Sequence, residues 1–222
     1  MKEQFRKYLS ELLGTFTIVF AGCGAIVINQ ESGGVITHVG IAFTFGLVVM
    51  AMIYSFGNVS GAHFNPAVSI AFTLAGSFKV KELLPYILSQ LAGAVLASLL
   101  LRFLFPANAF LGATLPKGSE LQSLVLETVL TFFLMLVILQ VSRGSKEQGM
   151  FAGLAIGSVV LLEAMFAGPV CGASMNPARS IGPAIISSHL EHLWIYLLGP
   201  VLGAAMAVPV GSFLKEHNVS ES

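Results

Sequence analysis

Charge is scarce in this sequence. Eleven Lys and Arg and eleven Asp and Glu make up only a tenth of the 222 residues, and they cancel to a formal net charge of zero. Soluble domains carry about a quarter charged residues, so the shortage excludes an ordinary water-facing surface. With 55% hydrophobic residues and a mean hydropathy of +0.86, the chain reads as an integral membrane protein whose first partner is the lipid bilayer. No basic or acidic excess exists to attract a nucleic acid. Cysteine is scarcer still. Cys23 and Cys171 stand alone, with no CxxC and no Cys/His cluster, which excludes a disulfide framework and offers no metal site. Nor does any nucleophile stand beside a base, or any phosphate-binding loop occur, so the pattern points away from an enzyme and implies no cofactor.

What the chain has in abundance is long apolar runs. About 20 residues of helix cross the hydrocarbon core, and runs of that length fall at roughly 8–29, 35–57, 82–104, 121–142, 149–167 and 191–214. The first follows Lys2, Arg6 and Lys7 and passes through Phe20-Ala21-Gly22-Cys23, which loosely resembles a cleavable or lipidated signal. Glu11 interrupts it, and it continues through Ile26, Val27 and Ile28, so it is read as a span. Six spans put both termini on one side. Lys2, Arg6, Lys7, Lys79, Lys81, Arg143, Lys146 and Lys215 gather on that side, against Arg102, Lys117 and Arg179 opposite, and the excess makes it cytoplasmic. Absence of a targeting extension suggests the plasma membrane or a bacterial inner membrane.

Two further apolar segments, about 65–76 and 176–187, are too short to cross. Each opens with the same phrase, Phe64-Asn65-Pro66-Ala67-Val68 and Met175-Asn176-Pro177-Ala178-Arg179, after a run of small residues. Asn is a favoured helix cap and Pro suits the first turn, so each segment reads as a half-helix whose N-terminus carries free N–H donors and partial positive charge. Non-helical backbone at membrane depth is tolerated only where protein buries it or it lines a wet cavity.

The phrase belongs to a repeat. Asn65 and Asn176 are 111 residues apart, as are Gly46 and Gly157, and Glu11 corresponds to Glu127. The halves, about 1–105 and 120–215 of a single unit spanning 1–222, each hold three spans and one half-helix. Three is odd, so the second half enters upside down, and the half-helices approach from opposite faces. Such inverted repeats place their site near the midplane. The fold class expected is therefore all-α integral membrane, with six transmembrane helices and two re-entrant half-helices.

Ser60-Gly61-Ala62-His63-Phe64-Asn65-Pro66-Ala67-Val68 and Gly172-Ala173-Ser174-Met175-Asn176-Pro177-Ala178-Arg179-Ser180 resemble the paired signature loops of the major intrinsic proteins, the aquaporins and aquaglyceroporins. The resemblance covers nearly the whole chain. It implies a passive channel with one pore per subunit, assembled as a homotetramer. Asn65 and Asn176 then offer side-chain N–H groups to a permeating oxygen at the pore midpoint, while both half-helix ends raise a barrier to protons and cations. The alternative is that they are helix caps only. Arg179 is costly in a membrane unless it faces water or a partner; by resemblance it is the fixed cation of an outer constriction completed by Phe45, Ala164 and Ala173. Gly61, Ala62, His63, Cys171 and Gly172 are carried over as pore lining.

Ala164 stands where a strictly water-selective channel is expected to carry His. The wider, apolar opening resembles the nodulin-like branch, as do Gly168-Pro169-Val170-Cys171-Gly172-Ala173-Ser174-Met175 and Trp194-Ile195-Tyr196-Leu197-Leu198-Gly199-Pro200. Ser180, where glycerol facilitators typically have Asp, is the aquaporin-like choice. The solutes expected are water and small uncharged molecules such as glycerol or arsenous and boric acids; the alternatives are a strictly water-selective pore and, from another class, a secondary transporter, which shares inverted repeats and broken helices.

Other residues have plainer readings. Glu11 and Glu127 are read as anchors that bond the backbone of the re-entrant loops, in preference to an ion path. Glu163 either bonds outer loops or tunes Arg179 or the vestibule. His63 is read as a satisfied hydrogen-bonder, not a pH gate. Two readings stand for Cys171, a mercurial target or a small apolar filler. Gly149, Gly153 and Gly157 form a ladder for close helix approach, as do Gly93 with Ala97 and Gly199 with Gly203. The sequons at Asn58 and Asn218 fall on the cytoplasmic side and are read as accidental.

Overall fold

The computed structural model describes residues 1–214; Lys215 and the sequon at Asn218 lie outside the described residues. Nine helices and no strands occur among them: α1 (Lys2–Glu31), α2 (Thr37–Ser60), α3 (Pro66–Leu74), α4 (Val80–Leu104), α5 (Glu120–Arg143), α6 (Lys146–Met150), α7 (Ala152–Cys171), α8 (Pro177–Ser187) and α9 (Leu193–Phe213). Six of these, α1, α2, α4, α5, α7 and α9, are long and apolar enough to cross a membrane. They are the six spans expected, and α3 and α8 are the two half-helices.

One boundary differs. The fifth span begins at Ala152, not at 149, because Ser145 opens a separate five-residue helix, α6. Its hydroxyl accepts the Gln148 N–H at 3.3 Å while the Gln148 side chain accepts the Ser145 N–H at 3.0 Å, a capping box that starts a helix locally. Gly149 consequently leaves the expected ladder. A Cβ on it would meet nothing within 4 Å, whereas one on Gly153 would press the Tyr54 ring at 2.8 Å.

Packing pairs α1 with α4, α2 with α7, and α5 with α9. Small residues make these approaches close, since helices in lipid associate through van der Waals contact. Gly46 of α2 and Gly157 of α7 face one another: a Cβ on either would lie 2.6 Å from the carbonyl oxygen of the other. That reciprocity is the signature of a two-fold relation between the halves. It recurs where Gly93 of α4 sits against the Leu12 carbonyl and Gly203 of α9 against the Thr128 carbonyl. Large side chains such as Phe43, Phe103, Phe133 and Phe166 remain exposed on the outside, as a hydrocarbon solvent permits.

Candidate functional site

Each half-helix starts as its sequence dictates. Asn65 has extended backbone (φ −154°), its side-chain oxygen accepts the Ala67 N–H at 2.9 Å, and Pro66 fills the first turn. Asn176 does the same for α8, accepting from Ala178 at 3.0 Å and Arg179 at 3.4 Å. Their amides then cross between the halves. Asn65 Nδ2 donates to the Met175 carbonyl at 2.7 Å, and Asn176 Nδ2 donates to the Phe64 carbonyl at 2.9 Å. The N-termini of α3 and α8 therefore meet, with both amide oxygens held by backbone and one N–H of each amide beyond the cross-bond.

The loops leading to them are unusual backbone. Ala62, Phe64, Ala173 and Met175 all have φ between 41° and 54°, a left-handed conformation that costs a residue with a Cβ about 1 kcal/mol or more. Buried carboxylates hold these turns. Glu11 accepts from the backbone N–H groups of His63 (3.0 Å) and Phe64 (2.7 Å), from the Ser60 hydroxyl (2.7 Å) and from Gln90 Nε2 (2.8 Å). Glu127 accepts from the N–H groups of Ser174 and Met175, both at 2.8 Å. A second matched pair ties the helix ends. The Tyr86 hydroxyl donates to the Ser60 carbonyl and the Tyr196 hydroxyl to the Cys171 carbonyl, each at 2.8 Å, tying the last residue of α2 and of α7. Their spacing of 110 residues, close to the 111 of the Asn pair, is the signal that finds them.

A cavity of about 730 Å³ runs along this junction. Asn65, Asn176, Gly61, Ala62, His63, Phe45 and Arg179 line it, among mostly apolar neighbours such as Val49, Ile53, Val68, Leu134 and Val160. Arg179 is the one charged residue among those described as lining it, and no carboxylate joins them. The Arg179 guanidinium is buried, 5.0 Å above the Phe45 ring, and donates from Nη1 to the Gly112 carbonyl at 2.7 Å. That acceptor belongs to the loop between α4 and α5, which Asn108 and the Thr114–Ser180 hydroxyl bond (2.8 Å) fix in place. That bond uses one of the five guanidinium donors, and Arg179 is itself among the residues lining the cavity.

Other residues singled out in the sequence lie behind this wall. Pro66, Ala67, Pro177 and Ala178 are buried in the first turns of α3 and α8. Ala164 and Ala173 are 7% exposed and do not line the cavity. Gly172 caps α7 in a left-handed conformation (φ 88°), packed against Thr114. Cys171 is fully buried, its thiol donating to the Ala167 carbonyl at 3.6 Å and accepting the Ala173 N–H at 3.4 Å, so it packs as a filler off the cavity wall. His63, by contrast, lines the cavity; it pairs Nδ1 with the Ser69 hydroxyl at 3.0 Å and stacks on Phe72 at 4.8 Å. Glu163 stands apart from the two anchoring carboxylates. It is 3% exposed, and its Oε2 has no hydrogen-bond partner.

Known proteins resemble this chain in sequence and fold. Residues 1–210 match the family model described as Major intrinsic protein. Aquaporin NIP1-1 of Zea mays is 50% identical over 200 residues, covering 90% of this chain and 71% of that protein. Nodulin-26 of Glycine max is 48% identical over 201 residues, covering 90% and 74%. Among solved structures, the aquaglyceroporin from Plasmodium falciparum superposes with a TM-score of 0.81 at 26% identity, over 95% of this chain and 99% of that one. Six spans, two facing half-helices and these relatives lead to one conclusion: the chain belongs to the major intrinsic protein family, with nodulin-like aquaporins among its relatives.

Proposed function

We propose that this chain is a passive transmembrane channel for water and small uncharged solutes, such as glycerol or arsenous and boric acids. The observation that carries the reading is the junction of two half-helix N-termini in the wall of a cavity whose one charge, among the described residues, is Arg179. Two converging partial positive ends and a fixed cation oppose protons and metal ions, while uncharged oxygens meet N–H donors. A cation-coupled transporter needs a coordinating set, and no carboxylate lines this cavity among the described residues. The names of the relatives, aquaporins and an aquaglyceroporin, support water and glycerol-sized solutes.

In this reading Asn65 and Asn176 mark the pore midpoint, and Phe45 and Arg179 form the selective constriction, at which the small Ala164 and Ala173 stand back from the cavity wall and leave the opening wide. Gly61, Ala62 and His63 line the pore, with His63 in its cytoplasmic half. Repeats of about 1–105 and 120–215 build one channel unit, which assembles as a homotetramer. Both termini face the cytoplasm, in a plasma membrane or a bacterial inner membrane, since the basic residues gather on that side.

Stopped-flow light scattering on reconstituted vesicles tests the proposal, with water, glycerol and arsenous acid in parallel. Flux of all three is expected. Water flux alone would confine the channel to water, with Phe45 and Arg179 closing the opening; flux requiring an ion gradient would overturn the passive reading.

A further inference from the structure

Phe45 forms one wall of the proposed constriction, yet its ring is seated by a residue outside the cavity wall. Gly22 is buried on α1, and a Cβ built on it would overlap the Phe45 ring. The same ring lies under the Arg179 guanidinium. The neighbouring residue supports the opposite wall: Cys23 lies against Gly112, where an added Cβ would come within 2.8 Å of the Cys23 Cβ, and Gly112 supplies the carbonyl that holds Arg179. Two consecutive residues of α1 thus back both members of the constriction, the Phe45 ring and the carbonyl that holds Arg179. α1 has little room to retreat, because α4 is already in backbone contact with it where Gly93 meets Leu12 and Phe16.

The repeat sharpens the point. At the spacing that relates Glu11 to Glu127, Gly22 corresponds to Ile138; at the spacing that relates Gly46 to Gly157, Phe45 corresponds to Ile156. Both isoleucines line the cavity. One half therefore pairs two medium side chains where the other pairs none with a large one, so the phenyl ring occupies volume that α1 gives up.

We infer that Gly22 is a specificity-determining residue: its missing side chain lets the Phe45 ring seat against α1, beneath Arg179, and any side chain there drives the ring into the aperture. The inference rests on Phe45 and Arg179 forming the constriction. A ring displaced at its far end is the soft response to a Cβ, since the backbone around it is locked.

The test compares wild type, Phe45→Leu, Gly22→Ala and the double variant in proteoliposomes holding equal amounts of folded channel, with glycerol and water permeability measured side by side. Phe45→Leu is expected to raise the glycerol-to-water ratio. Gly22→Ala is expected to lower it about tenfold, with water falling less than about twofold, because the larger solute feels a narrowed opening first. The double variant is expected to return to the ratio of Phe45→Leu, and it remains informative if Gly22→Ala alone folds poorly, since the overlapped ring is gone. An unchanged ratio in folded Gly22→Ala, or a double variant with a ratio well below that of Phe45→Leu, overturns the inference. No change in Phe45→Leu overturns instead the constriction reading beneath it.

Discussion

Glu127 is bonded directly to the backbone of Met175: its Oε2 accepts the Met175 N–H at 2.8 Å, across 48 residues of chain. Its other oxygen accepts the Ser174 N–H, so a single carboxylate fixes two consecutive peptides of a loop in which Met175 is left-handed (φ 54°). In Glu127→Gln only one amide oxygen remains, and an NH₂ faces the second N–H. The loss of a buried bond is expected to cost about 1–3 kcal/mol. A lower melting temperature in detergent, with water permeability falling as the folded fraction falls, checks it; an unchanged melt would mean that the loop holds itself.

Asn176→Ala removes both the cap of α8 and the donor to the Phe64 carbonyl. Cap loss alone is expected to cost about 1 kcal/mol. Vesicles loaded with a pH-sensitive dye are expected to report faster proton entry alongside altered water flux. A well-folded variant with unchanged flux and intact proton exclusion would count against the midpoint assignment.

Gly46→Ala is expected to be the more damaging kind of change, since its Cβ would lie 2.6 Å from the Gly157 carbonyl, a backbone atom that cannot swing aside. Overpacking of this kind costs about 1–3 kcal/mol where side chains can adjust, and more where only backbone can. Size-exclusion profile and detergent melting measure it, and the reciprocal Gly157→Ala is expected to match.

Ala164 is one helical turn beyond Val160, which lines the cavity, although Ala164 itself does not. A longer side chain is expected to reach the opening, so Ala164→His suppresses glycerol flux before water flux. Unaffected glycerol permeability would remove Ala164 from the constriction.

Much of this architecture was present in local composition. Six spans are visible because about 20 apolar residues are a property of a window, independent of what packs beside it. The half-helix starts at Asn65 and Asn176 are equally local, since a cap and a first-turn Pro act within four residues. The extra helix at Ser145 also carries its own signal, Ser145 and Gln148 at capping-box spacing, just ahead of the apolar run at 149–167 whose first residues it takes.

The sequence by itself determined the spans, the doubled phrase and the pairing of its halves, because each depends on chemistry repeated along the chain. Only the tertiary structure decided which atom holds Arg179, that Cys171 turns away from the cavity, that Tyr86 and Tyr196 tie the helix ends, and that Gly22 seats Phe45. Those facts lie in contacts between helices. In a membrane, where apolar side chains gain nothing by facing one another instead of lipid, such contacts are set by close fit and hydrogen bonding, and neither leaves a mark on hydropathy.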